Sequence, residues 1–177
     1  MYQKMHIKNL NRIILWVWTT FFSVGAFALE TDRLAVMHVV SDTATYDRNQ
    51  HTITYQGNVQ VEQGSSHLDG DKIVIYQSPT NNNQIEKIIA YGQPAHYNTL
   101  PQPNNDRMYV EALVITYDPL KKIVTLEGKG RVNQGGNIFS GPHIWYDMIN
   151  GVVHSSPGQG KERTEMIIQP HQFNSHP

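Results

Sequence analysis

The chain has 177 residues, 14 basic and 15 acidic side chains, nine histidines and no cysteine. The missing thiols exclude cysteine nucleophiles, Cys-based zinc sites, iron–sulfur clusters and any fold that depends on disulfides. So even a charge balance also argues against nucleic acid as a partner, because that affinity comes largely from Lys and Arg on phosphates.

The first segment reads as an address. Lys4, Lys8 and Arg12 precede a mostly apolar run from Ile13 to Phe27, and Ala26-Phe27-Ala28 supplies the small-x-small pattern of a signal-peptidase site. An uncleaved membrane anchor is the competing reading. A spanning helix needs about 20 apolar residues, whereas this run is shorter and carries Thr19, Thr20 and Ser23. A signal peptide over 1–28, cleaved after Ala28, is predicted, with a single domain over 29–177. Loss of the three basic residues leaves 11 basic against 15 acidic, a net charge of −4.

Short alternating segments follow. In His51 to Gln56, Ile53 and Tyr55 share one side; after Gly57, Val59 and Val61 alternate with Asn58, Gln60 and Glu62. A period of two marks a strand with one buried face, and a glycine within it marks a bulge or bend. Further strands are predicted at 72–76, 85–91, 112–117, 123–127, 138–140, 143–146, 152–154 and 164–169. Turn residues separate them, among them Asp118-Pro119, Gln134-Gly135-Gly136-Asn137 and Asn150-Gly151, the last a two-residue hairpin signal. Asn98 to Asp106 reads as a surface loop, and Asp69-Gly70-Asp71 as a turn rather than a calcium loop or an acid–base pair.

The chain also repeats itself at a shift of 71. Tyr46-Asp47 falls on Tyr117-Asp118, Gly57 on Gly128, Gln63-Gly64 on Gln134-Gly135, Gly70 on Gly141 and Ile73 on Ile144. One such unit cannot bury its own apolar face, so two must associate. The predicted fold is all-β: an antiparallel β-jelly-roll, or open two-sheet sandwich, built from two related halves. Its open edges are expected at Leu34–Val40 and Thr164–Gln169, where unpaired backbone groups can receive another strand.

In order along the chain stand Ser41-Asp42, Gly57-Asn58-Val59, Gly70-Asp71-Lys72-Ile73, Tyr91-Gly92-Gln93-Pro94-Ala95, Leu126-Glu127-Gly128, and Gly160-Lys161 before Met166-Ile167-Ile168. With that order and spacing the sequence resembles the LptA family of periplasmic lipopolysaccharide-export bridge proteins, within the wider OstA-like group. The resemblance covers nearly the whole mature chain. It implies a periplasmic, non-enzymatic protein with an apolar groove sheltering the lipid A acyl chains of lipopolysaccharide. It further implies head-to-tail homo-oligomers joining inner-membrane LptC-like and outer-membrane LptD-like partners.

Periodicity places Ile53, Tyr55, Val59, Val61, Val124, Leu126 and Val132 on the inward face. Correspondence with lipid-facing positions of the family adds Met37, Val39, Tyr97 and Tyr117. The competing reading for each is packing as core. His38, His51, His67, His96, His143, His154, His171 and His176 are scattered without a four-ligand set, although a hairpin at Asn150-Gly151 would let His143 and His154 face each other. No catalytic motif, cofactor or metal site is predicted. The alternatives to a soluble bridge are a membrane-anchored LptC-like partner and a carbohydrate-binding β-sandwich, for which Trp145 is the one mature-chain tryptophan.

Overall fold

The computed structural model describes residues 35–81, 84–101, 105–158 and 162–170. The expected signal segment, His171 and His176 lie outside them. The described residues form ten strands and no helix: β1 (Met37–Val40), β2 (Thr43–Asp47), β3 (Thr52–Gln63), β4 (Ser66–Gln77), β5 (Ile85–Thr99), β6 (Met108–Asp118), β7 (Ile123–Gln134), β8 (Asn137–Asp147), β9 (Val152–Ser156) and β10 (Glu165–Ile167). All belong to one antiparallel sheet in the order β1-β3-β4-β5-β6-β7-β8-β10, with β2 also on β3 and β9 also on β8. Each edge of the sheet is thus a broken strand, β1 with β2 at one side and β9 with β10 at the other.

The two facing layers come from folding this one sheet rather than from two separate sheets. Every ladder from β3 to β8 loses register at the same level: between Gln56 and Val59, Asp69 and Lys72, Tyr91 and Ala95, Glu111 and Val114, and Glu127 and Gly130. These interruptions align into a fault line that splits each long strand into two halves. Ile73 and Ala90 are 0% exposed and Leu126 is 1% exposed, although no second element covers them. A flat sheet cannot hide its own face, so the halves must close over each other along the fault. One apolar cluster accordingly holds Val59 and Val61 from one side of the line and Ile73, Ile75 and Ile115 from the other.

The 71-residue repeat reappears as backbone geometry. Gly57 and Asn58 have φ of 81° and 46°, and Gly128 and Lys129 have 72° and 55°. The bulge in β3 is therefore copied in β7, and its first position falls to glycine because positive φ costs other residues. An added Cβ at Gly57 would also collide with Asp42, and at Gly128 with Leu113, which is again 71 residues on.

Turn chemistry repeats as well. Asp47, Asp118 and Asp147 each end a strand and accept two backbone N–H bonds at 2.8–3.1 Å from residues two and three further on. At Asp118 and Asp147 those bonds favour the ionised carboxyl. Asp118 is held below the ordinary carboxylate value chiefly by the Lys121 N–H, and Asp147 chiefly by the Asn150 N–H. Because Asp147 pairs with Val152, the loop holds four residues, not the two expected from Asn150-Gly151. The aspartate cap draws Met148 and Ile149 into the turn.

The fourth loop residue is left-handed each time: His51 at φ 51°, Lys122 at 56° and Gly151 at 65°. A Cβ on Gly151 would meet nothing within 4 Å, so Gly151→Ala isolates the backbone cost. It is expected to lower stability by about 1 kcal/mol, while Lys122→Gly should raise it by about 0.5–1 kcal/mol. Urea denaturation checks both; a neutral Gly151→Ala would mean the loop relaxes freely.

The sequence reading ends two strands too early, β7 running on to Gln134, and breaks two others. β5 runs through to Thr99, so Asn98 is strand rather than loop, and Asp69-Gly70-Asp71 lies inside β4 rather than in a turn. Pro94, after a cis Gln93–Pro94 bond, and Pro142 both sit on the fault line, where ladder register is already lost. A proline there sacrifices no hydrogen bond, so β5 and β8 continue past it.

Candidate functional site

The inward face is built from uncharged rows running across the sheet. On one side of the fault, Val39 pairs with Val61, Val61 with Leu68 and Leu68 with Tyr97. The row continues through Val110, Val132 and Phe139 to Met166. On the other side, Ala44, Tyr55 and Ile73 lead through Ala90, Ile115 and Leu126 to Ile144 and Ser155. A parallel row takes Tyr46, Ile53, Ile75 and Ile88 through Tyr117, Val124 and Tyr146 to Val153. None of these positions holds Asp, Glu, Lys or Arg.

Burial grades across these rows. Beside the fault, Val59, Ile73, Ala90, Ala95, Ala112, Leu126 and Ile144 are buried; further out burial is mixed, with Val61, Ile75, Val110 and Val124 buried and Ile53, Leu68, Ile88, Tyr97, Tyr117, Val132, Phe139 and Tyr146 only partly buried. The interior is therefore a wedge, tight at the fold line and open toward the strand ends. Apolar side chains left half-exposed inside a concave face form a binding surface for an apolar guest.

All eleven predicted residues enter this one interior. Val59, Val61, Val124 and Leu126 are fully buried in the cluster, while Met37, Val39, Ile53, Tyr55, Tyr97, Tyr117 and Val132 are partly buried and packed against it. Sequence reasoning missed Leu68, Ile75, Ile88, Phe139 and Tyr146, which line the same rows. Runs such as Ile73-Val74-Ile75 and Ile88-Ile89-Ala90 are apolar on both sides, so alternation could not assign them a face.

Polar chemistry lies outside. On the outward side, Asp69, His96, Glu111 and Arg131 stand in register, with His96 Nδ1 3.7 Å from Glu111 and His67 Nδ1 3.5 Å from Glu62. Such exposed pairs contribute little to stability. Lys87 lies 4.3 Å over the Tyr76 ring. Trp145 pairs with His154, and His143 with Ser156, so the expected His143–His154 juxtaposition is a diagonal rather than a direct pair. Among the described residues no group of three His, Asp or Glu is placed to hold a metal. A cleft of about 360 Å³ beside Lys129, Arg131, Pro142, Glu162 and Arg163 is ringed by side chains of mixed charge.

Both edges expose the row ends. Tyr46 is 53% exposed on β2, and Val153 and Met166 are 39% and 62% exposed on β9 and β10. These edges match the predicted Leu34–Val40 and Thr164–Gln169 within the described residues.

Residues 38–152 match the family model described as LptA/(LptD N-terminal domain) LPS transport protein. The chain belongs to that family. It is 32% identical to the lipopolysaccharide export system protein LptH of Pseudomonas aeruginosa, over 94% of this chain and 97% of the relative. It is 26% identical to LptA of Haemophilus influenzae, over 92% of this chain and 94% of that one. A crystal structure of the Pseudomonas LptH, described as the periplasmic component of the lipopolysaccharide transport device, superposes with a TM-score of 0.70, covering 79% of this chain and 99% of that one. The folded, open sheet is thus the architecture of LptA-family members.

Proposed function

We propose that this protein carries lipopolysaccharide across the periplasm, sheltering the lipid A acyl chains in the groove. Binding, not catalysis, is its task. The observation that carries this reading is the set of uncharged inner rows, partly exposed at their outer positions, that run unbroken to both edges. Exposing a methylene to water costs about 0.8 kcal/mol, so a chain of ten costs roughly 8 kcal/mol. A continuous apolar floor removes that cost along a whole path, whereas a closed pocket removes it at one place. The net charge of −4 after signal removal leaves little general attraction for phosphate, so the acyl chains supply most of the grip.

The edges supply the second half of the function. Eight strands lie along the sheet path, an even number, so the two edges run in opposite directions. A second copy stacked in the same orientation therefore presents its β1–β2 edge antiparallel to β9–β10 of the first. Edge pairing then satisfies unpaired backbone groups and sets Val39 beside Met166 and Tyr46 beside Val153. In this reading head-to-tail homo-oligomers join LptC-like and LptD-like components of the two membranes. The relatives' description as export-system proteins supports the same assignment.

The test is to express the chain in a lipopolysaccharide-making host, with a photo-crosslinker at Tyr55, Tyr117 or outward Trp145. Adducts with lipopolysaccharide are expected at the first two positions and not the third. Absence at both inward positions, or equal labelling at Trp145, would overturn the groove. The N-terminal residue of the purified protein separates a soluble bridge, beginning at Leu29, from an anchored LptC-like protein beginning at Met1.

A further inference from the structure

Both edges of the sheet break at the fault line, but they break differently. On the β1–β2 side the break is short. Val40 pairs with Gln60 and Thr43 with Gln56, leaving only Ser41 and Asp42 between the two strands. Asp42 fastens this step to the bulge of β3: its N–H donates to Gly57 O at 2.9 Å, and its Oδ2 accepts from Asn58 Nδ2 at 2.9 Å. β1 and β2 thus form one edge with a small jog. The anchor belongs to the edge alone. At the shift of 71, Asp42 becomes Leu113, inside unbroken β6, where no tether is needed.

The β9–β10 side breaks over a longer stretch, from Ser156 to Glu165. Its two ends nevertheless stay close on β8. Ser155 stands on Ile144, and Thr164 falls one step beyond the Ser140–Glu165 pair, level with Gly141. Nine positions along the chain, from Ser155 to Thr164, thus cover three along β8. The surplus is drawn off on the outward side, where Glu162 and Arg163 border the cleft with Lys129 and Arg131. A hydrogen bond closes its neck: Thr164 Oγ1 donates to Ser155 Oγ at 2.7 Å. Gly141 leaves room for that bond, since a Cβ there would lie 2.5 Å from Ser155 Oγ and 3.4 Å from Thr164 Oγ1.

The two edges therefore present the same step. In the stacked arrangement, with Val39 beside Met166 and Tyr46 beside Val153, Ser41 falls opposite Thr164 and Ala44 opposite Ser155. The arriving edge covers that distance in three residues, as β8 does beneath it. With the neck open, β9 and β10 would part, and an arriving edge could pair with one of them but not both. Resting on the stacking reading, we propose that the Ser155–Thr164 bond and the Asp42 anchor are positioning devices for self-association. Each holds a broken edge to the common three-residue step. A second copy of this chain then pairs along both halves of the junction at once.

The experiment measures self-association of the signal-cleaved protein by sedimentation velocity, for the parent, Thr164→Val, Thr164→Ser, Asp42→Ala and Asp42→Asn. Thr164 and Asp42 are exposed, so the variants should melt close to the parent. Thr164→Val and Asp42→Ala should associate about fivefold more weakly or worse, the size of one hydrogen bond. Thr164→Ser and Asp42→Asn keep an acceptor or donor in place and should match the parent. Each weakened variant retains one intact edge, so mixing Thr164→Val with Asp42→Ala rebuilds one parental junction. The mixture should form 1:1 dimers with parental affinity and lengthen less readily beyond them, which general damage to the fold would not produce. Parental association by Thr164→Val and Asp42→Ala, or a mixture no tighter than either alone, overturns the positioning role. A parent that stays monomeric at every concentration refutes the stacking reading itself, a separate outcome.

Discussion

A chain carrying both Met166→Glu and Val153→Glu is expected to fold normally and to lose self-association. Both side chains stand on the last strands, 62% and 39% exposed, and each ends an inner apolar row. In the monomer the substitutions touch mostly solvent, so stability should move by no more than about 0.5 kcal/mol each. In the stacked assembly each carboxylate would be forced against Val39 or Tyr46 of the next copy. Burying an unpaired charge there costs several kcal/mol, enough to weaken association by two or more orders of magnitude. Sedimentation velocity over a concentration series separates the cases: the parent should grow into longer species and the variant remain monomeric. Rods of undiminished length would mean that the copies meet elsewhere.

The second large effect distinguishes packing from lipid contact. Leu126→Ala should destabilise the protein by about 3 kcal/mol, because Leu126 is 1% exposed in the narrowest part of the wedge and truncation there leaves a cavity. For a domain of this size that corresponds to a melting temperature lower by roughly 10 °C. Tyr117→Ala removes a larger side chain, yet Tyr117 is only partly buried among its neighbours. Its cost to folding should be smaller, while its cost to lipid retention should be larger. Thermal melts and quantification of copurified lipid read the two axes independently. The same ordering for both would mean that the outer rows are ordinary core. Gly130 marks the opposite limit: a Cβ there would sit 3.1 Å from the Leu126 side chain and 3.2 Å from Gly141 O, so no room for a guest exists at the fold line.

The repeat was the most legible feature of the chain, because it depends on residues whose backbone role is local. An aspartate capping a turn or a glycine in a bulge acts through its immediate neighbours, so the 71-residue shift survives as matching φ values and matching caps. The fault line was illegible for the converse reason. Pro94 and Pro142 look like strand breakers to any local reading, and their harmlessness depends on five ladders losing register together. Seven of the eleven inward residues were recoverable from alternation, as in Ile53 to Val61, while Met37, Val39, Tyr97 and Tyr117 came from the family resemblance. Ile75, Ile88 and Tyr146 were not, since their strands carry apolar groups on both sides, and only pairing partners reveal which side is inward. Asp69-Gly70-Asp71 misled through composition: it lies in the middle of a strand, with Asp69 opposite His96.

The even strand path has a metrical consequence. Paired strands lie about 4.8 Å apart, so each copy joined edge to edge adds eight spacings, or roughly 38 Å, to the floor on which a lipid rests. Length then comes in whole steps, set by how many copies are inserted rather than by stretching any one of them. In the proposed assembly a gap between two membranes is matched by counting, and the guest meets the same side chains again at every step.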